Sequence, residues 1–279
     1  IVSEIHFENK DGSVNNGILT NVEKDEISAN IYLEEAIKDK RECYWEGAGQ
    51  SFSRRAEITN DPHDYIEAGN CYSKVNYLEA IRNYEEAVKL FVNTNRFGVA
   101  ARYSSDIANL YEDNNDEDNA FKFYSNAANH YECDNKPTQK CQNLLKVAEI
   151  MAKKKEYKKA AKIFEEIGMN SLKTVLGTFS GGMYFHKSLY CLMAIGNFEN
   201  VKTKIEEFKI ALKSFESSRQ HNFILQLLKA CEDKNIEFFS ESCSLYDRIT
   251  PLSSWETNIL VDIKNLLTTL TEDLGGGTF

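Results

Sequence analysis

An echo at a spacing of forty residues constrains this chain more than any other feature. "YLEAIRNYEEAV" (77–88) returns as "EDNAFKFYSNAA" (117–128) and again as "YKKAAKIFEEIG" (157–168). Ala80, Ala120 and Ala160 fall in register, as do Tyr84, Tyr124 and Phe164, and then Ala87, Ala127 and Ile167. Within each copy these positions lie four and three residues apart, which puts them on one face of a helix. The segments just before them repeat as well. "DYIEAGNCY" (64–72), "SSDIANLY" (104–111) and "LLKVAEIM" (144–151) align on Ala68, Ala108 and Ala148. Each unit reads as two amphipathic helices joined by a polar turn: "SKVN", "EDNND" or "AKKKE".

A repeat of this length predicts stacked helical hairpins, because one hairpin leaves an apolar face that only a neighbour can cover. Alanines let the helices approach closely, and aromatics fill the grooves between hairpins. The period exceeds the roughly 34 residues of tetratricopeptide repeats. The surplus predicts longer helices or an additional short one. Only three prolines interrupt 279 residues. The fold class is therefore all-α: a superhelical solenoid of tetratricopeptide-like (TPR-like) helical hairpins ending in a C-terminal helical bundle.

Residues 1–28 are polar, rich in Asn and Gly, and without clear period, so they read as a loop-rich N-terminal arm. The hairpins are expected over 29–195, a C-terminal bundle over 196–272 and a flexible tail over 273–279. "ANIYLEEAI" (29–37) and "CYWEGAGQSFSRRAEI" (43–58) read as an earlier repeat, with Pro62 breaking the chain before the next. Beyond 168 the strict period fades. Helices are expected near 179–195, 198–213, 216–231, 234–248 and 253–271, and "GTFSGG" (177–182) reads as a flexible joint.

Several classes of function find no support. No run of about 18 apolar residues occurs to span a membrane. "IVSEIHFENKDG" lacks the basic-then-apolar pattern of a signal peptide. Seven scattered cysteines without a C-x-x-C read as reduced, buried thiols of a cytosolic protein. A net charge of −10 opposes non-specific nucleic-acid binding. No Gly-rich phosphate loop opens a helix. The five histidines lack partners at i+3 or i+4, and His186, near Tyr184 and Cys191, reads as a packed helical residue. Neither a catalytic residue, a metal site nor a cofactor is suggested, and the chain reads as a non-enzyme.

Charge is distributed unevenly. Residues 144–173 hold eight lysines against four glutamates, and residues 231–279 hold nine acids against three bases. Such a chain can bridge an acidic partner and a basic one, while exposed charges chiefly set encounter rate and specificity.

The segments "EAGNCY", "YLEAIRNYEEAVKLF", "NRFGVAARY", "IANLYE", "LLKVAEIMAKKKEYKKAAKIFEEIG" and "YDRI…W" together resemble the soluble NSF attachment proteins, most of all their α type. The resemblance runs from about Cys43 to about Leu274 in the family's order. It implies a non-enzymatic adaptor that coats the four-helix SNARE bundle (syntaxin-like SNAREs) in several copies. It then recruits and stimulates the hexameric ATPase NSF, which takes the bundle apart during vesicle fusion and protein transport. It also implies a cytoplasmic protein associated peripherally with membranes. The SNARE-facing basic positions implied are Lys74, Arg96, Arg102, Lys146 and Lys187; Gln142 and Gly182 stand where lysines are expected. The implied NSF contacts are Glu241, Asp247 and Leu274, with Glu232, Asp233 and Glu237 as helpers. "GGGTF" follows Leu274 where the family normally stops. The family's apolar membrane-touching loop has no good match here; "GILT" (17–20), with Phe7 upstream, is the nearest patch. A second reading is a tetratricopeptide co-chaperone that grips a peptide carboxylate. It needs Lys, Asn and Arg on successive 34-residue repeats, which the forty-residue period opposes.

Overall fold

The computed structural model describes residues 20–173 and 175–275. Among the described residues there are fourteen α-helices and no strand. The chain divides into two compact units, Ile1–Leu110 and Tyr111–Phe279.

The first unit holds α1 (Asn21–Arg41), α2 (Trp45–Thr59), α3 (Pro62–Tyr72), α4 (Tyr77–Asn93) and most of α5 (Phe97–Asp113). Consecutive helices α1 to α4 pack on one another. The face of Ala80, Tyr84 and Ala87 is buried. Tyr84 lies against α3 at Gly69, where an added Cβ would stand 2.4 Å from its ring. On its other side it stacks on Tyr103 of α5 at 5.5 Å between centroids. Its hydroxyl donates to Asn70 Oδ1 at 2.8 Å. Ala87 and Phe91 join Ile66 of α3 and Ala100 of α5 in a common cluster. The opening face of the sequence is thus held on one side by α3 of its own repeat and on the other by α5 of the next.

Helix starts recur every twenty residues: Tyr77, Phe97, Glu117, Pro137 and Tyr157. The helices α4 to α7 have 17 residues each. Longer helices, not an extra one, therefore account for the surplus over a 34-residue repeat. The turns between them share one device. Asn95, Asn115, Asn135 and Lys155 all adopt positive φ, between 53° and 63°. In each turn the next backbone N–H donates five residues back: Arg96 to Phe91, Asp116 to Tyr111, Lys136 to Tyr131 and Glu156 to Met151, at 2.8–2.9 Å. This is the Schellman stop, in which a left-handed residue satisfies the last carbonyls of a helix. Asparagine tolerates that conformation because its short polar side chain bonds locally.

The second unit continues with α6 (Glu117–Cys133), α7 (Pro137–Lys153), α8 (Tyr157–Ser171) and α9 (Val175–Ala194). These pack in sequence. After them come α10 (Phe198–Ala211), the one-turn α11 (Lys213–Glu216), α12 (Arg219–Glu232), α13 (Ile236–Asp247) and α14 (Ser254–Gly275). The helices α10, α12 and α14 all pack on α9. A continuous apolar cluster runs from Ala148 on α7 to Leu267 on α14. Near its middle Phe185 stacks on Phe208, and Phe223 on Tyr246, both at 4.1 Å.

Four expectations change. The "GTFSGG" stretch is not a joint but lies inside α9. Gly181 serves close approach: a Cβ there would sit 2.9 Å from Leu172. Residues 21–28 are helical rather than part of a loop-rich arm. Thr20 and Glu23 form a capping box, with Glu23 N donating to Thr20 Oγ1 and Thr20 N to Glu23 Oε2 at 2.8 Å. Their exposed, polar first turns carry no apolar period, which hid the helix from pattern reading. At the other end α14 runs on to Gly275, so 273–275 belong to a helix and not to the tail. Finally, only Cys71, Cys191 and Cys231 are buried, while Cys43 and Cys133 are exposed; all seven are free thiols. Of the nearest apolar patch, Thr20 is a helix cap, and residues 17–19 and Phe7 lie outside the described residues.

Candidate interaction surfaces

Three of the five basic positions fall in the first unit, and each rests on an aromatic ring. Lys74 sits in the turn between α3 and α4, with Nζ 3.1 Å from the centroid of Trp45 at the start of α2. Arg96 follows the left-handed Asn95 and lays its guanidinium over Phe91 at 4.8 Å. Arg102, on the solvent side of α5, lies 5.5 Å from the Tyr103 ring. All three are exposed. No carboxylate among the described residues comes within 4 Å of any of them. Asp106 stands one helical turn beyond Arg102 and feels its charge. Burial raises its carboxyl above the usual range, and the Arg102 charge opposes that rise. A cation over an aromatic face is held by the ring quadrupole but keeps its full charge, because no anion neutralises it.

The basic positions of the second unit are engaged internally. Lys146 on α7 donates to both oxygens of Glu112 at 3.0 Å. The same carboxylate accepts from the Tyr124 hydroxyl at 2.5 Å. Burial alone would raise the pKa of Glu112, but these hydrogen bonds outweigh it and hold the group below its ordinary value. Lys187 on α9 is paired with Glu149. Its ammonium lies 4.8 Å from the Trp255 ring, whose Nε1 donates to the Glu149 carbonyl at 3.4 Å. The lysine-rich turn behaves likewise: Lys153 pairs with Glu117 at 2.9 Å, Lys154 with Asp118, and Lys155 with Asp262 at 3.2 Å. Most of these pairs join a lysine to an acid 34 to 38 residues earlier, on the preceding repeat. Much of the positive charge seen in residues 144–173 is thereby neutralised within the fold. Lys158 and Lys162 on α8 differ, being exposed and without a carboxylate partner among the described residues. Sequence reading counts both in the lysine-rich stretch without singling them out as contacts, although their i, i+4 spacing on a solvent face is visible. At the two positions where lysines were expected, Gln142 is exposed on α7 and Gly182 is half-buried on α9.

The acidic positions cluster on and before α13. Asn235 caps that helix by accepting from Phe238 N at 2.9 Å. Glu241 and Asp247 are both exposed, and neither has a cation within 4 Å among the described residues. Asp247 Oδ1 accepts from Leu252 N at 2.8 Å and so shapes the connection to α14. Glu237 and Asp233 are exposed too, whereas Glu232 is paired with Lys202 at 2.5 Å. The side chain of Leu274 lies outside the described residues.

His186 is buried between Tyr190, at 4.3 Å, and the more distant Phe223 and Tyr246 rings. Burial, with the nearby Lys187 charge, depresses its pKa to about 3, so the imidazole is neutral. Among the described residues no group of three or more His, Cys, Asp or Glu is placed to hold a metal. No described helix is long and apolar enough to cross a membrane.

Comparison with known proteins decides the family. Residues 8–268 match the family described as "Soluble NSF attachment protein, SNAP". The chain belongs to this family. It is 31% identical to the human alpha-soluble NSF attachment protein over 268 residues, covering 92% of this chain and 90% of that one. It is 32% identical to the bovine beta-soluble NSF attachment protein, over 86% of this chain and 83% of the relative. A probable vesicular-fusion protein sec17 homolog of Schizosaccharomyces pombe is 28% identical, over 88% of each chain. Lys74, Arg96 and Arg102 in the first unit, and Glu241 and Asp247 on α13, are among the exposed charges with no opposite charge within 4 Å among the described residues.

Proposed function

We infer that this attachment protein is a non-enzymatic adaptor. It binds assembled SNARE four-helix bundles through basic residues, and recruits and stimulates the NSF ATPase through acidic ones, in the disassembly that follows vesicle fusion. On this reading it works in the cytoplasm and reaches membranes peripherally, through SNAREs. The observation that carries the reading is the division of charge. Lys74, Arg96 and Arg102 keep their charges unpaired, and so do Glu241 and Asp247. Family membership supports the pairing of these two surfaces with an acidic bundle and a basic ATPase domain. Lys146 and Lys187 contribute to the bundle contact only by exchanging their present partners Glu112 and Glu149 for those of the bundle. Leu274 is kept as a contact to the ATPase. Weak contacts suffice, because several copies on one rod multiply their affinities.

A reconstituted assay with SNARE bundle, NSF and this protein tests both surfaces. Arg96→Glu with Arg102→Glu is expected to lower bundle binding at least tenfold with helix content unchanged. Glu241→Lys with Asp247→Lys is expected to leave bundle binding intact and remove ATPase stimulation. Wild-type protein that fails to bind bundles at low salt would overturn the reading.

A further inference from the structure

Three prolines occur in the chain, and one of them follows a hydroxyl residue: Pro62 follows Asp61, Pro137 follows Lys136, and Pro251 follows Thr250. Thr250-Pro251 lies in the connection between α13 and α14, where residues 251–253 have no regular structure. Ile249, Pro251 and Ser253 around it are exposed. Proline disfavours helical backbone in the residue before it, which agrees with α13 ending at Asp247.

Thr250 also borders a polar recess of 460 Å³, lined by Ser217, Arg219, Gln220 and Asn222 besides itself. All four neighbours carry hydrogen-bond donors, Arg219 carries a positive charge, and none is a carboxylate. Arg219 Nη1 already donates to Thr250 Oγ1, at 3.4 Å. Arg219 is also the first residue of α12, after the Ser218 cap, so the positive end of a 14-residue helix adds to the field there. A guanidinium aimed at a threonine hydroxyl, in a recess of donors without acids, suits a group with three acceptor oxygens and about two negative charges.

We propose that Thr250 is a phosphorylation site for a proline-directed Ser/Thr kinase, and that the Arg219 recess receives the phosphate. In the transfer, the Thr250 O–H bond breaks and its proton passes to the kinase's carboxylate base. A bond forms from Oγ1 to the γ-phosphorus of magnesium-bound ATP as the bond to the β–γ bridging oxygen breaks, and ADP leaves. Proline has no N–H. A kinase pocket that offers no acceptor to the residue after the target therefore selects Thr-Pro. The phosphate then ties the α13–α14 connection to α12 through charge-assisted bonds to Arg219.

The test uses the full chain, a proline-directed kinase and ATP, with a control substrate in the same tube. Mass spectrometry is expected to find one phosphate, on Thr250. Pro251→Ala is expected to lower the rate at least tenfold, and Thr250→Ser to remain a substrate. The phosphorylated protein is expected to melt about 2–4 °C higher than the unmodified one. Arg219→Gln is expected to be phosphorylated as fast but to lose that rise. Absence of label on Thr250 while the control is labelled would overturn the site, as would labelling indifferent to Pro251→Ala. A melting point that does not rise, or rises equally in Arg219→Gln, would overturn the recess. No arm uses SNAREs or the ATPase, so the result stands apart from the adaptor reading.

Discussion

At the scale of single residues, the turn every twenty residues asks for one unusual conformation, and three asparagines and one lysine supply it. Lys155 holds φ 63° without the local side-chain bonding that eases asparagine into that region. Its one ion pair, to Asp262, is exposed on the lysine side, and Asp262 also accepts from Tyr157 at 2.6 Å. Surface pairs of this kind contribute about 0–1 kcal/mol. Lys155→Asn is therefore expected to stabilise the protein by up to about 1 kcal/mol, as relief of left-handed strain exceeds the lost pair; a urea titration showing destabilisation would refute this. His186 illustrates the opposite case, a residue whose burial has a pH consequence. Its folded pKa of about 3 lies below the ordinary 6.5. A depressed value means that its stabilising share is complete above pH 6.5. That share is lost as pH falls toward 3, since only the unfolded chain takes the proton readily. About 3 kcal/mol should go between pH 7 and pH 4. His186→Leu should show a visibly shallower fall of melting temperature over that range. Parallel curves for the two proteins would refute the assignment.

Secondary-structure elements were the most legible level. The face of alanine, aromatic and then alanine (isoleucine in α8) on α4, α6 and α8 announced helices, their boundaries and their neighbours, because small and large residues at i, i+4 and i+7 have few other uses. Two elements escaped for physical reasons. The first turns of α1 are solvated, so their signal was a capping box, Thr20 to Glu23, rather than a period. The glycines of α9 looked like a joint because composition cannot distinguish a glycine that frees the backbone from one that admits a neighbour. Gly181 admits the Leu172 side chain. For the interaction surfaces the outcome is mixed. The sequence marks which residues are charged but not which charges find each other. Lys146 and Glu112 stand 34 residues apart, and only the stacking of hairpins brings them to 3.0 Å. Nor could the aromatic seat of Lys74 be read ahead, since Trp45 lies on α2, two helices before α4.

For the molecule as a whole, a net charge of −10 coexists with the exposed, unpaired cations Lys74, Arg96 and Arg102. Bundle affinity that rests on those cations should fall at least tenfold between about 50 mM and 500 mM salt, because screening then acts over only a few ångströms. Helix content measured by circular dichroism should stay constant, since the aromatic and alanine core does not depend on charge. Affinity that survives high salt would show that apolar contacts carry the binding instead. The twenty-residue spacing has a further consequence, for insertions and deletions. One residue removed from a helix rotates everything after it by about 100°, which turns the next aromatic away from its seat. Removal of a whole forty-residue unit leaves every later face in phase. Length variation in such a chain is therefore quantised: it is tolerated in complete repeats or outside the helices, and single-residue slips within them are eliminated.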